Sequence, residues 1–238
     1  MISIGTNIKA VNDELQLVPI EYIYSSIKNP TPDLVARISQ LRIIRSIDAA
    51  KYSERKSLLP YFTCAIFNPR YRKTVNFAYT EFFVVDVDHI SEKELDISSV
   101  KKLFEEDKRV LMCFKSPGED GLKIIFKLRE KCYDVSLYKS FYRLFCRKLS
   151  EQYGLEQVVD LKTCDVARAC FFSYDPEVFY NPKAETIEVS DYIDINNDSD
   201  IHEAMRDLPF SEIPPKSDSH MIQDDVLDNI KSSLGFKR

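Results

Sequence analysis

The chain has 238 residues, of which 44% are hydrophobic and 12% aromatic, enough to bury one sizeable core. No run of about 18 apolar residues is present, so a transmembrane helix is not expected, and residues 1–10 lack the charged-then-apolar order of a signal peptide. The net charge of −5 is uneven, because residues 190–238 hold 11 acidic and 5 basic residues, whereas residues 1–189 hold 27 acidic and 28 basic ones. A near-neutral body can still carry a local basic groove, so this balance does not exclude nucleic acid as a ligand.

The cysteines indicate the cellular compartment. Several lie inside apolar runs and none forms a C-x-x-C pair, which predicts buried, reduced thiols in a cytoplasmic protein. A zinc site is the weaker alternative. The six cysteines are Cys64, Cys113, Cys132, Cys146, Cys164 and Cys170.

The first third of the chain predicts a strand at residues 15–18, a helix that starts at Thr31-Pro32-Asp33 with Thr31 as N-cap, and one strand at residues 61–67. The basic turn at residues 68–73 is a candidate for contacts with a phosphodiester backbone, and an ordinary solvated loop explains it equally well. The apolar stripe of the helix is Leu34, Val35, Ile38, Leu41, Ile44 and Ile47, and Arg42 and Arg45, which fall off this stripe, are expected to be solvated.

The rest of the body mixes helices with a hairpin, which favours an α+β fold over a doubly wound parallel sheet. From about residue 190 the composition shifts to Asp, Asn and Ser, which predicts an acidic linker at 190–238 with a short helix at 221–234. The predicted elements before it are a helix at 98–107, strands at 110–114 and 122–128 around a turn at 116–121, a helix at 134–153 closed by Gly154, and a strand at 169–174.

Two aspartates end the apolar stretch at residues 81–88. Side chains alternate between the two faces of a strand, so Asp86 and Asp88 point the same way. Paired carboxylates repel each other, and a hard divalent cation such as Mg²⁺ or Mn²⁺ relieves this repulsion. The alternative is a polar turn in which both aspartates are solvated. Asp160, which follows the apolar pair Val158-Val159, offers a third carboxylate.

The turn at 116–121 and a later arginine provide groups that suit phosphates. Ser116 offers a hydroxyl, the glycines let backbone N–H groups approach phosphate oxygens, and Lys123 adds a positive charge. Arg168 stands in an otherwise apolar run and needs an anion, either a triphosphate or a structural carboxylate such as Asp165 or Asp175. The combination of three aspartates with groups that bind phosphate predicts an enzyme of phosphoryl or nucleotidyl transfer.

In this order the motifs resemble those of the archaeo-eukaryotic primase superfamily, the primase-polymerases. The first motif of that family, Asp-x-Asp/Glu, matches Asp86 and Asp88. The second, Ser-Gly-x-x-Gly-x-His on a hairpin, is similar to residues 116–123 (Ser-Pro-Gly-Glu-Asp-Gly-Leu-Lys). The third, a hydrophobic residue followed by Asp, matches Val159-Asp160, and a downstream nucleotide-contacting arginine matches Arg168.

The amino-acid sequences of the motifs are more similar to those of VirE-N-terminal-type domains and CRISPR-associated primase-polymerases. Residues 56–60 (Lys-Ser-Leu-Leu-Pro), the 116–121 turn and residues 168–176 (Arg-Ala-Cys-Phe-Phe-Ser-Tyr-Asp-Pro) carry this likeness, which spans about residues 40–185. Two features depart from the broad family, because Lys123 replaces its histidine and the turn is one residue longer and starts with Pro117. Lysine binds phosphate but is a poorer acid–base group near pH 7.

The resemblance implies an RRM-like catalytic sheet packed with an N-terminal α/β unit, in a catalytic domain at residues 1–189. It implies a cytoplasmic DNA-directed primase-polymerase that uses nucleoside triphosphates and a single-stranded DNA template, beside a fused or associated helicase, CRISPR-adaptation or mobile-element protein. The implied site comprises Asp86, Asp88 and Asp160 for catalysis and two Mg²⁺ or Mn²⁺ ions, and Ser116, Gly121, Lys123 and Arg168 for the nucleotide. Residue type and position alone make Tyr174 a candidate contact for the base or sugar of the nucleotide. On the same basis, Lys56, Arg70, Arg72 and Lys73 are candidates for nucleic acid or the initiating nucleotide.

Other functions fit part of the pattern. A metal-dependent nuclease would use the same acids without a triphosphate-binding hairpin, and a glycosyltransferase would leave Asp160 and the turn unexplained. A non-catalytic single-stranded nucleic-acid-binding module of a larger mobile-element or defence protein would not need all three acids, and in an unrelated α+β domain the aspartates would carry no function. His89 is interpreted as a turn residue rather than a metal ligand.

Overall fold

The computed structural model describes residues 1–193, which form two antiparallel sheets and five α-helices. The predicted α+β class is confirmed. The helices are α1 (Ile20–Lys28), α2 (Pro32–Arg45), α3 (Ala49–Lys56), α4 (Ile97–Glu106) and α5 (Val135–Tyr153). The strands are β1 (Ile2–Gly5), β2 (Gln16–Val18), β3 (Tyr61–Thr63), β4 (Ala65–Phe67), β5 (Phe77–Val87), β6 (Val110–Lys115), β7 (Leu122–Cys132), β8 (Cys170–Phe171) and β9 (Phe179–Tyr180).

The larger sheet has the strand order β4-β5-β7-β6-β9, and the smaller one, in the N-terminal part, has the order β2-β1-β3-β8. All named pairs in both sheets are antiparallel. In chain order, the centre of the larger sheet runs β5, α4, β6, β7 and α5, and residues 158–160 then return to the end of β5 through a bridge between Val87 and Val159.

Strand β5 separates two hydrophobic cores. Phe83 and Val85 point into a core shared with α4 and α5. Phe82 points to the opposite face, into a core built by the N-terminal helices, the smaller sheet and β6. Because side chains alternate along a strand, Asp86 lies on this second face, between the larger sheet and the N-terminal unit.

The prediction of one strand at residues 61–67 is wrong. The chain passes at Cys64 from β3 in the smaller sheet to β4 in the larger one, where Ala65 pairs with Thr80. Every residue from 61 to 67 is buried, so no alternation of polar and apolar residues marks the crossing. The strand predicted at 169–174 is likewise confined to Cys170–Phe171.

Helix α2 begins where the sequence predicts, since Thr31 Oγ1 accepts a hydrogen bond from the Leu34 amide. The helix ends at Arg45, so Ile47 lies beyond it and is 77% exposed rather than part of the apolar stripe. Strand β1 and helix α1 were not predicted. The N-cap of α1 is Pro19, whose side chain makes no capping hydrogen bond, so the usual start signal is absent.

The second half of the chain follows the predicted order from α4 through β6 and β7 to α5. Asp134 caps α5 by accepting from the Leu137 amide, and Gly154 ends it with a φ of 65°. All six cysteines are free and buried, as predicted. Within residues 1–193, no helix is both long and apolar enough to cross a membrane. The helix predicted at 221–234 lies outside the described residues.

Candidate active site

Asp86 lies near the C-terminal end of β5 and faces Lys123, its partner on β7. Both side chains are buried, and Lys123 Nζ lies 2.9 Å from Asp86 Oδ2. The same ammonium lies 3.7 Å from Oδ1 of Asp88, whose side chain is 37% exposed at the edge of the sheet. Lys123 therefore bridges the two acids of the Asp-x-Asp pair.

The charge state of Lys123 follows from these neighbours. Burial alone lowers the pKa of an ammonium, but the carboxylates of Asp86 and Asp88 outweigh it and hold the pKa of Lys123 well above its usual value. Lys123 is therefore positively charged near pH 7 and does not release its proton there as a general acid would.

Asp160 is held beside Asp86 by the backbone. The amide of Asp160 donates to the carbonyl of Asp86 at 2.9 Å, and the amide of Asp88 donates to the carbonyl of Val158 at 2.9 Å. Asp160 Oδ1 accepts from the Lys162 amide at 2.8 Å. The apolar pair before Asp160 forms an isolated bridge with β5 rather than a strand, and this backbone pairing brings the third acid to the end of β5.

Arg168 pairs with Asp86 rather than with Asp165 or Asp175. Its Nη2 lies 3.3 Å from Asp86 Oδ2, the same oxygen that Lys123 contacts, and its side chain is 51% exposed. Burial lowers the pKa of this guanidinium. The carboxylates of Asp86 and Asp160 raise the pKa by more than burial lowers it, so the pKa lies above its ordinary value. Asp175 instead lies 3.5 Å from Lys101.

A cleft of about 310 Å³ opens beside Asp86. Lys56 contributes an ammonium 5.7 Å from the ring of Tyr52 and 6.0 Å from the ring of Phe171, and no described carboxylate forms an ion pair with it. Burial and the nearby Lys123 lower the pKa of Lys56. The lining residues are Ile8, Lys56, Arg72, Asp86, Pro117, Lys123, Lys162, Thr163, Asp165, Ala167, Arg168, Ala169, Cys170 and Phe171.

Residues 54–180, which contain the acids, the turn and Arg168, match the family model described as BT4734-like, N-terminal domain, over more than half of the chain. The chain belongs to this BT4734-like family. Among solved structures, the AEP domain of a cyanophage S-2L primase-polymerase is similar, with 8% identity and a TM-score of 0.41 over 87% of this chain and 89% of that one. No curated protein sequence gives a significant match.

In this BT4734-like domain the 116–121 turn closes tightly against the acids. The Ser116 amide donates to the Gly121 carbonyl at 2.8 Å, and Ser116 is buried. A Cβ on Gly121 would lie 2.5 Å from the Val87 carbonyl oxygen and 2.8 Å from Asp88 Oδ1, so only glycine fits without a shift.

The structure separates the predicted nucleic-acid contacts of the BT4734-like domain. Lys56 and Arg72 line the cleft, whereas Arg70 and Lys73 are exposed outside it. Arg72 donates from Nη1 to the Ala167 carbonyl at 3.0 Å and also borders, with Lys73, a second cavity of about 230 Å³. Tyr174, a predicted nucleotide contact, is not among the residues that line the cleft.

The prediction that Arg42 and Arg45 are solvated is wrong, because the N-terminal unit packs α2 against the turn. Arg42 donates to the carbonyls of Pro117 at 3.3 Å and Tyr174 at 2.6 Å. Arg45 donates to the Gly118 carbonyl at 2.8 Å and pairs with Asp120. Helical periodicity showed that both arginines lie off the apolar stripe, but not which element faces them.

One group of side chains lies close enough together to hold a metal ion: His89, Glu92 and Asp120, whose ligand atoms all lie within 4.8 Å of one another. His89 has a φ of 60°, as in a turn, and its Nδ1 lies 2.9 Å from Glu92 Oε1. The ligand atoms of Asp86, Asp88 and Asp160 do not all lie within 4.8 Å of one another, so these residues form no such group among residues 1–193. The charge of Asp86 is instead neutralised by Lys123 and Arg168. Sequence reasoning singled out the turn that contains Asp120 but predicted no metal-binding role for Asp120 or Glu92.

Proposed function

We propose that this domain is a template-dependent nucleotidyltransferase, a DNA primase-polymerase that makes or extends primers on single-stranded DNA. The observation that carries the proposal is the convergence of three acids and two cations at the end of β5. Asp86, Lys123 and Arg168 line one cleft, and Asp88 and Asp160 are held beside Asp86. Carboxylates suit hard divalent cations, and the cations of the cleft suit a triphosphate.

The connectivity of the larger sheet supports an RRM-like catalytic core. The order β5, α4, β6, β7, α5 and then residues 158–160 matches a split βαβ arrangement in which the last strand is reduced to one bridge. In such a core the acids of the first and last strands are neighbours. We assign this core and the N-terminal unit to one catalytic domain at 1–189, and residues 190–238 to a linker.

The donor set fits a hard divalent cation, since it consists of carboxylate oxygens only, and no described residue donates a hydrogen bond to Asp86 Oδ1. The carboxylate oxygens of Asp86, Asp88 and Asp160 do not all lie within 4.8 Å of one another, so these residues would have to move closer together to hold Mg²⁺ or Mn²⁺ jointly. When bound, such ions neutralise charge on the triphosphate and lower the pKa of the attacking hydroxyl.

The chain's own residues would bind and orient the nucleotide. Lys56, Lys123 and the half-exposed Arg168 offer positive charge on the walls of the cleft, and the 116–121 turn offers Ser116 and backbone amides. A primer 3′-hydroxyl, losing its proton to solvent, would attack the α-phosphorus of the nucleotide. The bond from this phosphorus to the oxygen that bridges to the β-phosphate would break, and pyrophosphate would leave. We assign Arg70, Arg72, Lys73 and Tyr174 to the template strand or the base.

A primer-synthesis assay tests the proposal. It uses unprimed single-stranded DNA, Mg²⁺ or Mn²⁺, and labelled deoxynucleoside or nucleoside triphosphates. Short products from the wild-type protein should disappear in Asp86→Ala/Asp88→Ala and persist in Asp33→Ala, which removes a carboxylate that is 79% exposed on α2. Products that persist in the double variant would overturn the site assignment.

The same assay separates the alternatives. Degradation of the DNA that depends on Asp86 and Asp88 would indicate a metal-dependent nuclease. Binding of DNA with neither synthesis nor degradation would indicate a non-catalytic nucleic-acid-binding module. Either result would overturn the proposed polymerase activity.

A further inference from the structure

We propose that Arg45 is a positioning residue, which holds the 116–121 turn at a fixed distance from Asp88; this inference rests on the proposed function. Arg45 lies in the last turn of α2, in the N-terminal unit, whereas its partners belong to the hairpin of the larger sheet. Its Nη1 donates to the Gly118 carbonyl at 2.8 Å, and its Nη2 contacts the carboxylate of Asp120.

Asp120 extends this contact to the segment that carries Asp88. Its Oδ1 accepts from the Ser91 amide at 3.0 Å, and its backbone carbonyl accepts from the Ile90 amide at 3.2 Å. Asp120 is buried, with a side chain only 8% exposed. Arg45 and Asp120 therefore tie together the turn and the residues directly after Asp88.

The turn needs such support because part of its backbone is strained. Glu119 has a φ of 58°, which is uncommon for a residue other than glycine and persists only when neighbouring groups hold it. Arg42 contacts the Glu119 carboxylate at 3.0 Å and donates to the Pro117 carbonyl at 3.3 Å. Arg42 and Arg45, both on α2, thus hold successive residues of the turn from one side.

The consequence is geometric. Gly121 leaves no room for a Cβ beside the backbone of Val87 and Asp88, so the turn lies close against this segment. A small shift of the turn therefore changes the distance between the acids and the groups proposed to bind the triphosphate. Misplacement of reacting groups by about 1 Å can lower a rate by roughly 100-fold. Arg45 contacts two acceptors with one planar fork, and lysine offers no such fork.

The test compares Arg45→Met and Arg45→Lys with Arg37→Met, a matched change on the same helix. Among residues 1–193, the polar partners of Arg37 are Asp33 and the Leu58 carbonyl, neither of which belongs to the turn. We expect Arg45→Met to raise the KM for the nucleotide and to lower kcat/KM by about 10-fold or more, and Arg45→Lys to recover part of the loss. Arg37→Met should match the wild type. A loss of folded protein alone would lower the rate and leave KM unchanged, and that result would overturn the inference.

Hydrogen exchange provides a readout that does not require activity. The amides of residues 118–121, 90 and 91 should exchange faster in Arg45→Met than in the wild type, while the amides of α5 keep their protection. Equal exchange in the turn would overturn the positioning role. If the wild type neither binds nor incorporates nucleotides but the turn still loosens in Arg45→Met, the proposed function fails and the structural link stands.

Discussion

Lys123 Nζ lies 2.9 Å from Asp86 Oδ2 across the β5–β7 pair, and both side chains are buried. A buried ion pair stabilises a fold only weakly relative to apolar residues, but removing one partner leaves an uncompensated charge. Asp86 is therefore a proposed metal ligand and, at the same time, the counter-ion of a buried ammonium. These two roles can be separated by experiment.

Asp86→Asn and Asp88→Asn should differ in their free energy of unfolding, but both should lose the primer-synthesis activity. Asp86→Asn leaves Lys123 with the 3.7 Å contact to Asp88, so we expect a loss of roughly 3 kcal/mol in the free energy of unfolding. Asp88 is 37% exposed, and its replacement should cost about 1 kcal/mol or less. Primer synthesis should be abolished in both. Urea unfolding measures the first quantity, and equal stability of the two variants would contradict the buried-pair argument.

A double-mutant cycle should reveal the coupling between Asp86 and Lys123. Lys123→Met removes the ammonium and leaves Asp86 with Arg168, and Asp86→Asn/Lys123→Met removes both charges. We expect the double variant to be more stable than Asp86→Asn, because the buried ammonium that has lost its 2.9 Å partner is removed as well. Chemical denaturation of all four proteins gives the coupling energy. Additive losses would mean that the two side chains do not interact in solution.

Lys56→Met should weaken nucleotide binding without destabilising the fold. Lys56 has no ion-pair partner among the described residues, and burial and Lys123 lower its pKa, so its positive charge destabilises the fold. We expect an unchanged or higher Tm and about 10-fold weaker triphosphate binding by calorimetry. Arg55→Met, an exposed change on the same helix, serves as the control. Unchanged affinity in Lys56→Met would remove Lys56 from the phosphate site.

Gly121→Ala should displace the turn from the acids. The new Cβ would lie 2.5 Å from the Val87 carbonyl oxygen, which belongs to the backbone of β5 and cannot rotate away. Overpacking of this kind typically costs about 1–3 kcal/mol, and we expect the nucleotidyl-transfer rate to fall as well. The measurement pairs thermal unfolding with the primer assay. Wild-type stability and rate in this variant would show that the turn has room to move.

The pKa of His89 should lie above its ordinary value of 6.5, chiefly because of its hydrogen bond with Glu92. A raised folded-state pKa means that this contact stabilises the fold below pH 6.5 and that the contribution is lost as the pH rises through the folded-state value. Two-dimensional NMR titration should show the raised pKa in the wild type and a return towards 6.5 in Glu92→Gln. An unshifted His89 in the wild type would mean that the contact does not persist in solution.

The sequence was sufficient wherever the evidence is local. The period of two along a strand places Asp86 and Asp88 on one face, and Thr31, Asp134 and Gly154 mark helix ends because capping uses neighbouring residues. The α+β class follows from the order of helices and hairpins. Burial of the cysteines follows from their apolar surroundings.

Tertiary structure alone decided which distant side chains meet. Arg45 and Asp120 are 75 residues apart, and Arg168 and Asp86 are 82 residues apart, so no local period relates them. Periodicity shows which face of α2 is polar, but the packing of the N-terminal unit on the larger sheet determines that this face meets the 116–121 turn. The sequence by itself thus determined the acids and cations available to the site. Strand pairing within the larger sheet and the packing of the N-terminal unit against it determined which of them neutralise one another, because electrostatic contact depends on distance in space.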